Sequence, residues 1–211
     1  MYVPAAFAMP DDDVRALLDG SRIADLVTST AQGLVATPLP FVHDPEAGEH
    51  GALLCHVARN NPQWREPVHG EALAIVRGPD AYVSPSWYAS KAEHGRVVPT
   101  WNYVTAHVYG DLVVHDDPEW VEALVRRLTD QREAAMPHPW AVDDAPPRFV
   151  DGQLRAIVGL ELRVTRIEAK AKLSQNRPAA DVAGVVAGLA RQGQPALAAA
   201  VEAAARPRPE G

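Results

Sequence analysis

The sequence predicts an α+β chain that is mainly β, a small antiparallel barrel with peripheral helices. Three observations predict it. Six apolar or alternating runs are separated by short turns. One amphipathic stretch of helical period stands between the fifth and sixth runs, and an alanine-rich tail without a single aromatic residue follows the last.

PDDDVRALLDG opens the pattern as a short helix, with acidic residues in its first turn and Gly20 as its stop. IADLVTS and LVATPLPFV flank a turn at 31–33 and read as a hairpin. After a loop at 44–51, ALLCHV is a third strand, ALAIVRG a fourth and TWNYVTAHVYGDLVV a long fifth. In 118–133, Trp120, Val121, Leu124, Val125 and Leu128 recur at helical spacing behind Pro118, which suits a first turn. MPHPWAVDDAPP reads as a proline-rich loop, and GLELRVTRI alternates cleanly as the sixth strand. Residues 1–178 are expected to form the barrel domain, and 179–211 a helical alanine-rich extension. Small side chains bury little area, so that extension is expected to pack weakly or against a second subunit, with RPRPEG frayed.

A net charge of −7 argues against general binding to a phosphate backbone, which needs many Lys and Arg contacts. Direct DNA binding is therefore doubtful. The N-terminal stretch lacks a basic segment before its aspartates, and no run is long enough to span a bilayer. The single cysteine, Cys55, cannot form an internal disulfide. A cytoplasmic protein is expected. Neither a Gly-rich phosphate loop, an HExxH or CxxC metal pattern, nor a GxSxG elbow occurs.

Four clusters exceed what a plain barrel asks for. In CHVARNNPQW a strand ends in His56, Arg59, Asn60 and Asn61 before Pro62, a setting in which a guanidinium can grip phosphate. The plain alternative is a capped turn with an exposed arginine. Residues 83–110, VSPSWYASKAEHGRVVPTWNYVTAHVYG, hold five of the thirteen aromatic residues, among them Trp87, Tyr88 and Trp101. Prolines fix where such rings point, and flat, half-polar rings suit a planar ligand. Lys91 can meet an anion there, and Asn102 can read ring carbonyl or imide groups. A packed loop across the barrel mouth is the competing reading. KAKLSQNRP adds Lys172, Ser174, Gln175 and Asn176, directional groups that a solvated charge run does not require. In VATPLPF, Thr37 can face a ligand and Pro38 marks a strand edge.

MYVP, HVARNNPQW, AYVSPSWYASK, VVPTWNYVTAHVYG and KLSQNRP, in this order, resemble the PaiB-type proteins, described as FMN-binding negative transcriptional regulators. These belong to the split β-barrel flavoproteins related to pyridoxamine phosphate oxidases. The resemblance runs from Met1 to about residue 189. It implies an FMN-binding split β-barrel, a homodimer with cofactor sites at the interface, and a flavin-dependent redox protein or sensor linked to regulation. It further implies that Arg59 and Asn60 hold the phosphate. Pro38, Trp87, Tyr88 and Trp101 would lie near the ring, with Thr100, Asn102 and 172–176 closing the site. No residue stands out as an acid or base tuned for one substrate. Two alternatives stay open: a haem-handling split barrel with His56 or His107 on iron, and a regulator that acts through protein partners without turnover.

Overall fold

The computed structural model describes residues 1–21 and 23–206. Its elements run α1 (Asp11–Gly20), β1 (Ile23–Thr30), β2 (Gly33–Asp44), β3 (Ala52–Ala58), β4 (Ala72–Val83), α2 (Ser90–His94), β5 (Thr100–His115), α3 (Pro118–Glu133), α4 (Pro147–Arg155), β6 (Ile157–Lys172), α5 (Ala179–Arg191) and α6 (Pro195–Ala204). The six strands form one closed antiparallel barrel in the order β1-β2-β3-β6-β5-β4, as the alternation predicts. Of the RPRPEG stretch expected to fray, residues 207–211 lie outside the described residues.

The chain divides into two compact units. One comprises Met1–Leu17, Arg77–Ala106 and the chain from Glu168 onward; the other comprises Leu18–Val76 and His107–Ile167. Strands β4, β5 and β6 each run from one unit into the other.

In the second unit, β1 pairs with β2 from Ile23↔Pro40 to Thr30↔Gly33, and with β4 from Ala24↔Val76 to Val27↔Leu73. Alternate β1 residues Ala24, Leu26, Thr28 and Thr30 are buried, the period-two pattern of a strand with one covered face. Phe41 lies opposite Cys55, which lies opposite Leu160. The thiol of Cys55 is a small core group, and its burial pushes its pKa up to about 12. Helix α3 starts as its sequence predicts: Pro118 takes the first turn while the Asp117 carboxylate accepts from the Glu119 and Trp120 N–H groups at 2.7 and 3.2 Å. Its Leu124 and Leu128 pack on Val42, with Leu54 and Trp120 beside them.

The segment read as a proline-rich loop is one, with a single 3-10 turn at Val142–Asp144, and its last residue begins a helix absent from the sequence reading. Pro147 opens α4 at a position where a missing N–H costs nothing. The helix is short, with only Phe149, Val150 and Leu154 as large apolar residues, and none of its residues is buried.

In the first unit, α5 and α6 do not pack weakly. Val182, Val185, Leu189, Leu197 and Val201 form a core with Val83, Tyr88 and Leu173. Alanine and glycine serve close approach here. A Cβ at Gly184 would lie 1.9 Å from the Trp87 carbonyl oxygen, and one at Gly188 2.2 Å from the Trp87 indole.

A second tie fixes the start of α5. The carboxylate of Asp181, 1 % exposed, accepts from the Ser90 N–H at 2.9 Å and the Ser90 hydroxyl at 2.7 Å. Burial by itself pushes this carboxyl up, but the Ser90 hydrogen bonds and the Arg177 charge outweigh it and hold it below the usual carboxylate value. A depressed carboxylate adds stability that is present above its unfolded pKa and lost as pH falls through the folded one. Asp181→Asn should therefore cost stability at pH 7 and flatten the decline of stability below about pH 4. Urea unfolding across that range checks it; an unchanged acid limb would contradict it.

Candidate functional site

Ten of the residues singled out in the sequence lie in the first unit. Lys172, the last residue of β6, donates from Nζ to the Thr100 hydroxyl at the start of β5, 2.6 Å away. Both are half-buried, and no further partner of this ammonium is seen among the described residues. Two donor positions thus remain for an anion. Next along β5, Trp101 is 50 % exposed. Its indole N–H is fixed by the Asp80 carboxylate at 2.8 Å, and its ring meets Tyr82 edge-on, with centroids 6.3 Å apart. Asp80 and Tyr82 were not singled out in the sequence. Alternation along β4 was the available signal, because it exposes Tyr82 between buried Ala81 and Val83.

Asn102 has no exposed surface. Its amide is spent on Ser174, donating to the hydroxyl at 2.9 Å and accepting from it at 3.2 Å. Ser174 has φ +63°, a left-handed conformation unusual for a residue with a side chain, and this pair holds the turn there. The Gln175 amide is likewise spent locally, accepting from the Leu173 N–H and donating to the Ala171 carbonyl, both at 2.7 Å. Asn176 is exposed. Lys91 is exposed and donates to the Ser86 hydroxyl at 3.2 Å. Trp87 is taken up by α5, and Tyr88 is 3 % exposed with the Arg177 guanidinium 4.7 Å from its ring centre. The aromatic stretch thus does two jobs: Trp87 and Tyr88 build core, while Trp101, with Tyr82 of β4, presents an aromatic surface.

The remaining four, Thr37, Pro38, Arg59 and Asn60, lie in the second unit. Gln63, 1 % exposed and not anticipated, organises them. It accepts from the Thr37 hydroxyl at 2.5 Å and donates to the Leu26 carbonyl and Thr28 hydroxyl at 3.2 and 3.1 Å. The Asn61 side chain caps this turn by accepting from the Gln63 N–H at 2.9 Å, and its amide donates to Thr37 at 3.3 Å. Pro38 and Asn60 are exposed. Arg59 is already engaged. Its guanidinium pairs with both Asp116 carboxylate oxygens at 2.5 and 3.0 Å and donates to the Arg155 and Ile157 carbonyls at 2.7 and 3.1 Å. Four of its five N–H donors are thereby used, and the group closes the C-terminal end of α4. The turn is capped, but its arginine is half-buried and paired rather than exposed.

His56 lies on the β3 face of Leu54, opposite Gly159, with its Nδ1 buried and burial lowering its pKa. His107 is shifted the same way, burial being the largest cause. Among the described residues no group of three or more His, Cys, Asp or Glu side chains could hold a metal ion, and no helix is long and apolar enough to cross a membrane.

Comparison with known proteins agrees with this architecture. Residues 1–166 match the family model described as "Putative FMN-binding domain". The chain is 31% identical over 197 residues to the protease synthase and sporulation protein PAI 2 of Bacillus subtilis, covering 92% of each chain. Among solved structures, a conserved hypothetical protein from Mycobacterium tuberculosis superposes with a TM-score of 0.56 at 13% identity, covering 84% of this chain and 94% of that one. An FAD and heme binding protein from Mycobacterium smegmatis gives 0.52 at 19% identity, covering 79% and 73%. At these identities the structural likeness shows the split-barrel fold alone.

Proposed function

We propose, from the premise that this chain belongs to the FMN-binding domain family, that it is a flavin-dependent redox protein or sensor with a regulatory output. FMN is its cofactor. The observation that carries the site assignment is the half-buried Lys172 ammonium, bonded to the hydroxyl of Thr100, the residue that precedes half-exposed Trp101 in β5. An ammonium with donors to spare and an adjacent hydroxyl suits a phosphate monoester. An indole anchored by Asp80 and braced by Tyr82 suits the edge or face of a flavin. Arg59 is the weaker candidate for the phosphate, because binding it there would break the Asp116 pair and uncap α4. Asn60, exposed on the same turn, stays a candidate phosphate contact.

When bound, FMN supplies a ring that accepts and returns one or two electrons. The chain's own contribution is to hold and orient it. Lys172 and Thr100 fix one end and Trp101 the other, while Asn102 and Ser174 hold the turn that carries the grip. No residue in the sequence stands out as an acid or base tuned for one substrate, which supports electron transfer or sensing over acid–base chemistry. The Bacillus subtilis relative takes its name from protease synthesis and sporulation, which supports a regulatory role. The charge of −7 makes direct DNA contact the less favoured route to it.

The cofactor sites are proposed to lie at the interface of a homodimer, where a second copy would cover exposed Trp101 and Tyr82. Light scattering of the FMN-loaded protein should give twice the chain mass of 22.8 kDa, and dilution to monomer should release the flavin. A monomer that keeps FMN bound tightly would overturn the interface assignment.

A further inference from the structure

Arg177 leaves the chain just after the turn that follows β6, and its backbone N–H donates to the Ser174 carbonyl at 2.9 Å. The left-handed Ser174, held by buried Asn102, therefore fixes where this arginine starts. Its guanidinium lies over the Tyr88 ring, 4.7 Å from the ring centre, and the residue is half-buried. Among the described residues no hydrogen bond or ion pair of this guanidinium is seen, which leaves five N–H donors. Asp181 feels its charge, but that carboxylate is bonded to Ser90.

The ring beneath carries a second donor without an acceptor. Tyr88 is 3 % exposed, yet its buried hydroxyl makes no hydrogen bond among the described residues. An unpaired buried hydroxyl costs stability, and phenylalanine would fill the same space without that cost. Burial pushes the phenol's pKa up, while the Arg177 charge pulls it down. The guanidinium is therefore near, although no bond of ordinary geometry joins it to the hydroxyl. Donors gather at this turn, and the carboxylate that acts on both of them, Asp181, is used on Ser90. Their complement is an oxyanion. One guanidinium balances one charge, so a carboxylate suits it better than a phosphate dianion, and paired N–H bonds match its two oxygens.

We propose that Arg177 and Tyr88 form an oxyanion site, distinct from the FMN phosphate grip, that takes the carboxylate of a small organic acid. The guanidinium holds both carboxylate oxygens. Because it is stacked on the ring and not bonded to it, this long side chain can shift with its anion until the Tyr88 hydroxyl donates to one of them. The assignment rests on the flavin reading in one respect, that Lys172 takes the FMN phosphate.

NMR titration of the FMN-loaded full chain, labelled at its arginine side chains, with propionate and with inorganic phosphate at constant ionic strength tests it. Propionate should shift the Arg177 Nε–H resonance saturably and leave that of Arg59, held by Asp116 and the Arg155 carbonyl, in place. Phosphate should bind more weakly. Arg177→Gln should abolish saturable binding. Tyr88→Phe should weaken propionate by about tenfold, the worth of a hydrogen bond to a charged group, while resistance to urea stays equal or rises and the flavin absorbance is kept. The proposal is overturned if propionate gives no saturable shift, if phosphate matches it, or if Tyr88→Phe binds it as the parent does. Arg177→Gln weakening FMN but not riboflavin would assign the arginine to the cofactor phosphate and overturn the separate site. A chain that binds propionate but no flavin would support this site and fail the cofactor reading, since the arginine resonance reports the anion either way.

Discussion

Gly184→Ala is expected to be among the most destabilising single-methyl changes in the chain. The added Cβ meets the Trp87 carbonyl oxygen at 1.9 Å, and a backbone atom cannot swing aside as a side-chain tip can. Gly188→Ala drives a methyl into the Trp87 indole at 2.2 Å, and that ring is held between α5 and its own 3-10 turn. Overpacking a core costs about 1–3 kcal/mol and more where the obstacle is rigid. A loss of about 3 kcal/mol or more is expected at Gly184, a large share of ordinary domain stability. Gly152→Ala in α4 provides the control, because nothing lies within 4 Å of its would-be Cβ. That change should stabilise by up to about 1 kcal/mol through helix propensity alone. Urea unfolding of the three variants distinguishes close packing from a general intolerance of the added methyl. Equal, small effects at positions 184 and 152 would mean that α5 is not seated on Trp87.

The second large effect concerns the cofactor. Lys172→Ala should weaken FMN by about ten- to a hundredfold, the worth of charge-assisted contacts to a phosphate. Riboflavin lacks the phosphate, so its affinity should be nearly indifferent to that change. Trp101→Ala should weaken both flavins alike, because the lost contact is to the part they share. Arg59→Ala should act differently from Lys172→Ala. It removes the clasp on Asp116 and on the carbonyls at the end of α4, and so should lower stability while changing FMN and riboflavin together. Fluorescence titration of both flavins against the three variants separates these roles. Were Arg59→Ala to cost FMN affinity selectively while Lys172→Ala did not, the phosphate grip would belong to the strand-to-turn arginine.

Much of the barrel was legible because alternation along β1, β2, β3 and β6 records which face is covered. Helix α3 was legible because one proline and one apolar stripe mark it. Helix α4 was not, since its nine residues carry only three large apolar side chains, Phe149, Val150 and Leu154, around an internal glycine, Gly152. Within the candidate site, residue type was informative and residue role was not. Asn102 has the right chemistry to read a flavin edge, yet the register of β5 turns it inward to Ser174. Trp87 looks like part of a ligand wall until Gly184 and Gly188, far along the chain, are seen to make room for it. Arg59 reads as a free cation because its partner Asp116 is remote in sequence. Each of these partners is chosen by tertiary structure, which local pattern does not record.

The chain belongs to the FMN-binding domain family, and FMN is its cofactor. The most direct test is the visible absorption spectrum of the full chain purified and then loaded with FMN. Bound flavin should give bands in the blue and near ultraviolet that stay with the protein through gel filtration at about one FMN per chain. A protein that emerges without those bands, or that instead takes up haem and shows a Soret band, would contradict the account.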